Sequence, residues 1–154
     1  MSARVVFDLD GTLIDSAPDI RAVANEVLAG LGAGEITLAQ THDFIGNGVD
    51  VFVAKMRAAL GLPDALQTAM AAAFRDRYAD AHALTVLYPQ VRETLEHLVA
   101  SGHRLGLCTN KPTQATHAVL THFDLAPLFE TVVCGDTLPV HKPDPAPCTT
   151  RLRR

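Results

Sequence analysis

The chain has 154 residues and a formal net charge of −4, with 48% hydrophobic and 19% charged residues, which favours one soluble globular domain. This composition argues against disorder, against a basic nucleic-acid footprint and against a membrane span of ~18 or more apolar residues. The N-terminus lacks the form of a signal peptide, and three unpatterned cysteines favour a reducing compartment. We therefore expect a cytoplasmic protein without nucleic-acid or membrane partners; the oligomeric state stays open.

The first half of the chain predicts one strand followed by helices. Residues 4–7 are β-branched and aromatic, which predicts a buried strand that ends in a polar loop at Asp8. Ser16 is predicted to cap the next helix, with Asp19 three residues after the cap. From there to about residue 85, apolar residues recur at helical spacing between Gly- and Pro-containing turns, which predicts a block of helices.

In the second half of the chain, predicted strands alternate with predicted helices. Residues 104–108 and 131–134 predict strands, and the runs that begin at Pro89 and Pro112 predict helices. This alternation favours a parallel α/β sheet, in which binding sites lie beyond the carboxyl ends of the strands. Four polar residues fall at such ends: Asp8, Asp10, Thr109 and Asn110.

The pair Asp8 and Asp10 places two carboxylates at the end of the first predicted strand. Neighbouring carboxylates repel, so the pair needs a cation, a proton or firm hydrogen bonds, and such hard oxygen ligands suit Mg²⁺. One carboxylate can then attack phosphorus while the other exchanges protons. The two aspartates alone nevertheless favour a solvated turn whose side chains cap backbone N–H groups, because short motifs are weak signals.

Longer motifs favour the catalytic interpretation. Residues 8–16 (DLDGTLIDS) resemble the first motif of the haloacid dehalogenase superfamily. Residues 109–111 (TNK) resemble its second motif and residues 141–145 (HKPDP) its third. The segments 44–48 (FIGNG) and 135–147 are similar to those of the phosphoglycolate phosphatases within that superfamily. The resemblance runs from about residue 3 to residue 147.

This resemblance implies an architecture. It implies a three-layer α/β core with a Rossmann-like parallel sheet, formed by residues 1–14 and 86–154. A helical cap of residues 15–85 is inserted after the first strand. The expectation of a single domain from length alone is therefore overridden by the inserted block of helices.

The resemblance also implies roles for individual side chains. Asp8 attacks the phosphoryl group, and Asp10 protonates the leaving oxygen and then activates water. Both aspartates hold the Mg²⁺ cofactor. Thr109 binds the phosphoryl oxygens through its hydroxyl and Asn110 through its backbone N–H. Lys142 supplies positive charge to those oxygens and to Asp8, since phosphoryl transfer depends on positioning and charge neutralisation.

The implied activity is Mg²⁺-dependent hydrolysis of a phosphate monoester through an aspartyl phosphate, with 2-phosphoglycolate as the favoured small phosphorylated metabolite. The loop Gly46, Asn47 and Gly48 is either a turn between cap helices or a set of backbone N–H groups for a substrate carboxylate. The alternatives for the whole chain are another small phosphate ester, a sugar-phosphate mutase of the same superfamily, or an inactive truncated form.

Three other side chains have less specific interpretations. Asp136 is expected to be a loop acid at a strand end rather than a site residue. Cys108 and Cys134 lie in predicted strands and are expected to be small buried apolar groups rather than nucleophiles.

The resemblance stops after Pro147. The family continues with a further helix, a strand and a fourth acidic motif that completes the metal site, so we expect a truncated core, an open sheet edge at the first strand and weak Mg²⁺ binding. We hypothesise that residues 148–154 are read out of frame, since one set of codons that encodes residues 148–150, read one base earlier, gives Leu-His-His, which resembles the apolar start of the family's next helix. A shortened, solvated terminus is the alternative. Gln90 also departs from the family, which usually has glycine there.

Overall fold

The structure, a computed structural model, describes residues 2–149. Within that range it contains five strands: β1 (Arg4–Phe7), β2 (Ile14–Asp15), β3 (Val86–Leu87), β4 (Arg104–Cys108) and β5 (Thr131–Val133). It also contains seven α-helices: α1 (Ala17–Ala29), α2 (Leu38–Phe44), α3 (Val49–Ala59), α4 (Gln67–Tyr78), α5 (Val91–Ala100), α6 (Thr113–His122) and α7 (Ala146–Thr149). Short 3-10 turns precede α4 and β5, at Asp64–Leu66 and Ala126–Leu128.

Three strands form a parallel sheet in the order β1-β4-β5. The central strand β4 pairs with β1 through Val5 opposite Leu105 and with β5 through Leu107 opposite Val132. Helices α5 and α6 connect these strands. The prediction of an α/β fold with a parallel sheet is therefore confirmed.

Strand β1 lies at one edge of this sheet. Within residues 2–149 its one sheet partner is β4, as the prediction of an open edge required. Val5 and Phe7 pack against the apolar core, but Val6, on the opposite face, is 40% exposed. The prediction of a buried strand is therefore wrong for Val6, because only one face of β1 is covered by the core.

The buried apolar residues form two clusters. One cluster, which we call the core cluster, joins the sheet to α5 and α6 and includes Leu9, Leu95, Leu107 and Leu120. The other, the cap cluster, joins α1, α3 and α4 through residues such as Leu28, Met56 and Phe74. The expected block of helices is confirmed, while the proposed domain boundaries stay a prediction.

A short antiparallel ribbon of β2 and β3 lies where the chain enters and leaves the helical block, with Ile14 opposite Leu87. Its strands have two residues each and were not predicted, because a run of that length has no periodicity to detect. The ribbon brings residues 15 and 86, far apart in sequence, into register.

Two predictions at the start of α1 are wrong in detail. Ser16 does precede the helix, but its side chain makes no capping bond, since its hydroxyl donates to Asp10 Oδ1 at 2.5 Å. Asp19 does not complete a capping box either. Its Oδ2 accepts hydrogen bonds from the Leu84 N–H at 3.0 Å and the Thr85 hydroxyl at 2.6 Å. Both side chains bind distant partners that sequence spacing does not reveal.

The chain after Pro147 continues as helix α7, in which Pro147 itself is buried. Residues 150–154, which carry most of the segment hypothesised to be out of frame, lie outside the described residues. Within residues 2–149, none of the helices is both long enough and apolar enough to cross a membrane.

Candidate active site

Asp8 and Asp10 lie in the loop that follows β1, on either side of Leu9. Leu9 is fully buried, and its carbonyl accepts hydrogen bonds from the backbone N–H groups of Leu13 and Ile14 at 2.9 and 3.2 Å. The buried side chain and the closed turn anchor both aspartates. The Asp8 side chain is 44% exposed and that of Asp10 is 14% exposed, so Asp8 is the more accessible carboxylate.

Lys142 forms an ion pair with Asp8, with Nζ 2.8 Å from Oδ1. The Leu9 N–H donates to the same oxygen at 2.8 Å. One carboxylate oxygen is therefore held by two donors, an ammonium and a backbone N–H. Within the described residues, Oδ1 receives both polar contacts of Asp8, which leaves Oδ2 to face a ligand.

The side chain of Asn110 holds the Lys142 loop in place. Its Oδ1 accepts from the Lys142 N–H at 2.9 Å, and its Nδ2 donates to the Lys142 carbonyl at 3.0 Å. The same Nδ2 donates to the Gly46 carbonyl at 2.8 Å. The sequence assigned a role only to the backbone of Asn110, so this side-chain clamp on two distant segments was missed.

Thr109 and Asn110 follow β4 directly and are 3% and 8% exposed. The Thr109 N–H donates to the Val133 carbonyl of β5 at 2.9 Å, which extends the sheet by one bond. Gly135 packs so closely that a Cβ there would lie 2.3 Å from the Asn110 carbonyl oxygen. A glycine at position 135 therefore lets the loops after β4 and β5 meet.

Lys111 is a site residue to which the sequence assigned no role. Its side chain is 1% exposed, and its Nζ lies 3.0 Å from Asp10 Oδ1, the oxygen that also accepts from the Ser16 hydroxyl. The ammonium also donates to the hydroxyl of Tyr78 from α4 and lies 4.3 Å from the centre of that ring. The position of Lys111, directly after Thr109 and Asn110 at the end of a strand, was the one sequence signal for a role in the site. No local pattern identified Tyr78 as its partner or Ser16 as a second donor to Asp10.

The protonation states of this pair follow from its surroundings. Burial, and then the Asp10 carboxylate, raise the pKa of Tyr78 above its ordinary value, so the phenol keeps its proton. Burial alone lowers the pKa of Lys111, but Tyr78 and Asp10 outweigh it, and the pKa of Lys111 is raised. Lys111 is therefore a buried cation that is compensated by Asp10.

These groups line a cleft with an empty volume of about 460 Å³ between the sheet loops and the helical block. The sheet side contributes Asp8, Asp10, Thr109, Asn110 and Lys111. The helical side contributes mainly apolar and aromatic side chains: Ile20, Ile45, Phe52, Phe74 and Tyr78. An apolar wall with a few convergent polar groups is typical of a small-molecule site.

The predicted substrate loop borders the cleft only in part. Gly46 and Gly48 line it, with φ angles of 119° and 84° that favour glycine. Asn47 is not among the lining residues. The Gly46 carbonyl is bound by Asn110, so the loop is fastened to the sheet side rather than free.

Asp136 and the two strand cysteines lie where the less specific interpretations put them. Asp136 accepts from the Thr113 N–H at 3.0 Å and so caps α6 rather than lining the cleft. Cys108 and Cys134 are 2% and 5% exposed. The expectation of a loop acid and two buried cysteines agrees with this arrangement.

Comparison with known proteins gives the family. The sequence matches the haloacid dehalogenase-like hydrolases over residues 5–154. The chain belongs to this family. The resemblance inferred from the motifs is thereby confirmed.

Among haloacid dehalogenase-like hydrolases, the chain is 49% identical over 146 residues to a phosphoglycolate phosphatase of Cereibacter sphaeroides, covering 93% of this chain and 67% of that protein. It is 42% identical over 146 residues to a phosphoglycolate phosphatase of Pseudomonas putida, covering 92% of this chain and 54% of that protein. The chain thus spans between about half and two thirds of the length of these relatives.

A solved structure has the same fold. The crystal structure of a predicted phosphoglycolate phosphatase from Haemophilus somnus superposes with a TM-score of 0.88 at 33% identity, covering 96% of this chain and 68% of that one. The roles given to individual residues by the haloacid dehalogenase resemblance stay predictions, although the structure brings Asp8, Asp10, Thr109, Asn110 and Lys142 to one end of the sheet.

Proposed function

We propose that the chain hydrolyses phosphate monoesters, with 2-phosphoglycolate as substrate. The observation that carries the proposal is the ion pair of Asp8 with Lys142 at 2.8 Å, beside a cleft that is lined by both Asp8 and Asp10. The names of the similar proteins support the substrate. Phosphoryl transfer requires a placed nucleophile and neutralised charge, and this arrangement offers both.

Asp8 is the nucleophile in this proposal. Its Oδ1 is held by Lys142 and by the Leu9 N–H, so Oδ2 is the oxygen that attacks phosphorus and forms an aspartyl phosphate. The Lys142 ammonium lies beside the attacking carboxylate and also neutralises charge on the phosphoryl oxygens. The Asn110 clamp on the Lys142 backbone keeps that ammonium in position.

Asp10 exchanges protons in both steps. In its acid form Asp10 protonates the leaving oxygen when Asp8 attacks, and as the resulting carboxylate it then takes a proton from the water that hydrolyses the intermediate. Ser16 and Lys111 both bind Asp10 Oδ1, which orients the carboxylate and leaves Oδ2 for the reacting groups. The Thr109 hydroxyl and the Asn110 N–H bind the phosphoryl oxygens.

The donor set fits a weak Mg²⁺ site. Within residues 2–149, no cluster of three or more His, Cys, Asp or Glu side chains could hold a metal. Asp8 and Asp10 nevertheless offer two hard carboxylates, and Mg²⁺ is commonly held by one or two carboxylates together with water and substrate phosphate. When bound there, Mg²⁺ supplies positive charge to the phosphoryl oxygens.

The cleft suits a small substrate. Apolar side chains on its helical side reduce the access of water to the phosphoryl group once a small ester is bound. We assign the substrate carboxylate to the backbone N–H groups near Gly46 and Gly48, which border the cleft.

The test is phosphate release from 2-phosphoglycolate and a panel of other small phosphate esters with Mg²⁺, and again after chelation of the metal. We expect release with Mg²⁺, most rapidly from 2-phosphoglycolate, and its loss on chelation. Release from other esters alone would support hydrolysis but reject this substrate. No release from any ester would reject the proposal.

The Asp8→Asn variant tests the nucleophile. The amide keeps the shape of the side chain but cannot attack phosphorus, so phosphate release should fall to background. The matched control is Asp64→Asn, since the Asp64 side chain lies on the helical block and is 94% exposed, and its release should equal that of the parent. Appreciable release by an Asp8→Asn protein shown to be free of deamidation would contradict the assignment.

A further inference from the structure

Two of the three cysteines meet at the carboxyl end of β4. Cys108 is the last residue of β4, and Cys148 lies in α7. Their sulfur atoms are 3.2 Å apart, although 40 positions separate the residues in sequence. Cys108 is buried, and Cys148 is exposed. One thiol is therefore shielded from solvent and the other is open to it.

Both thiols are held in place by their backbones. Cys108 pairs with Val133 in the sheet. The Cys148 N–H donates to the Pro145 carbonyl at 3.1 Å, and the adjacent Pro147 is buried. The loop before α7 is fastened at Lys142 by Asn110. The approach of the two sulfur atoms thus follows from contacts made by both segments.

We propose that Cys108 and Cys148 form a modification site, which a small organic disulfide of the glutathione type converts into an intramolecular disulfide. In the first step, the Cys148 thiolate attacks one sulfur of the oxidant, forming a mixed disulfide and releasing one thiolate. In the second step, Cys108 attacks the Cys148 sulfur and releases the second thiolate, which takes up the Cys108 proton. The oxidant is reduced to two thiols as the two cysteines lose two electrons.

The order of these steps follows from exposure. Cys148 meets an oxidant in solution, whereas Cys108 does not. Burial, and the neighbouring Cys148 thiol, raise the pKa of Cys108 to about 12, so Cys108 is protonated at neutral pH. Its attack is intramolecular, and a nucleophile already in contact with its target reacts at high effective concentration.

The bond would join two segments of the candidate active site. Cys108 directly precedes Thr109 and Asn110, while the loop that leads to Cys148 carries Lys142. Oxidation would tie α7 to β4 and hold this loop at both ends. The inference concerns the 154-residue chain, in which residue 148 is cysteine, and it holds whether or not that chain hydrolyses phosphate esters.

The test treats the reduced 154-residue chain with glutathione disulfide, blocks the remaining thiols by alkylation and maps the peptides without reduction. We expect a peptide pair joined through Cys108 and Cys148, and a fall from three free thiols to one, at Cys134. The matched control is Cys134→Ser, in which the same pair should form. Cys148→Ser, a change at an exposed position, should abolish it.

Three results would overturn the inference. One is a stable mixed disulfide on Cys148 with Cys108 still alkylated. Another is a disulfide that includes Cys134. The third is the survival of all three thiols under oxidant concentrations that modify a free cysteine peptide. The mapping of the parent chain needs no variant, so it stays decisive even if a substitution at Cys108 impairs folding.

Discussion

At the scale of single residues, Gln90 stands where the family usually has glycine, and its backbone conformation is one that favours glycine. It precedes α5 with φ 64° and ψ 8°, in the left-handed region that glycine adopts most readily. A side chain in this conformation costs roughly 1–2 kcal/mol, partly offset because glycine loses more entropy on folding. The glycine usual in the family would relieve this strain.

We therefore expect Gln90→Gly to raise the free energy of unfolding by about 0.5–1 kcal/mol, measured by urea denaturation. Asp124 is the matched position, since it is the other non-glycine residue with positive φ, at 49°, among residues 2–149. Aspartate tolerates positive φ better than most residues, so Asp124→Gly should raise the free energy of unfolding by less than Gln90→Gly does. A Gln90→Gly protein no more stable than the parent would show that the strain is relieved elsewhere.

At the scale of elements, one contact joins helix α4 to the loop after β4. The Tyr78 hydroxyl accepts from the Lys111 ammonium, and the Tyr78 ring also packs 5.2 Å from that of Phe74. Because Lys111 is almost fully buried, its donors need partners, and Tyr78 supplies one from the helical block. Lys111 thus couples helix α4 to Asp10.

A double-mutant cycle measures this coupling. Tyr78→Phe removes only the hydroxyl and should lower the free energy of unfolding by about 1–3 kcal/mol, because a buried charged group loses a partner. In the background of Lys111→Met the same change should have a smaller effect, giving a coupling energy of at least about 0.5 kcal/mol.

The control for that cycle is Tyr88→Phe, since Tyr88 is the other tyrosine of the chain and is 36% exposed. Its effect should be within about 0.5 kcal/mol of zero. Equal effects of Tyr78→Phe in the presence and absence of Lys111 would show that the hydroxyl stabilises the fold by another route.

The elements that were predicted correctly have strong local signals. Residues 4–7 and 104–108 form strands with the predicted bounds, because each is a compact apolar run bounded by polar or turn residues. The β2–β3 ribbon was missed because each strand has two residues and its pairing is long-range. Ser16 and Asp19 were misassigned for the related reason that distant partners replaced the local caps.

The candidate site was also predictable only where its signals are local in sequence. Asp8, Asp10 and Lys142 stand in motifs whose residues are adjacent in sequence, and the structure places them in or beside one cleft. The Asn110 side-chain clamp and the Lys111–Tyr78 contact join loops that no local pattern connects. Local motifs therefore identified chemical groups, while the contacts that orient them required the fold.

At the scale of the whole molecule, we expect the β1 edge of the sheet to affect how copies of the chain associate in solution. Within the described residues, β4 is the one strand that pairs with β1, and Val6 presents an exposed apolar side chain on β1. Edges of this kind pair with other chains unless a charge or a covering element protects them. The 154-residue chain should therefore self-associate as its concentration rises.

The substitution Val6→Lys should reduce that association, since a lysine on an edge strand opposes pairing with a second chain. Light scattering across a concentration series measures the effect. The matched control is Val51→Lys on α3, where the valine is 36% exposed but lies on a helix and offers no strand edge; its association should equal that of the parent. A parent chain that stays monomeric throughout would contradict the prediction. If both lysine variants reduce association equally, general surface charge rather than the β1 edge controls it. If only Val6→Lys reduces it, the sheet edge is the surface through which copies of the chain meet.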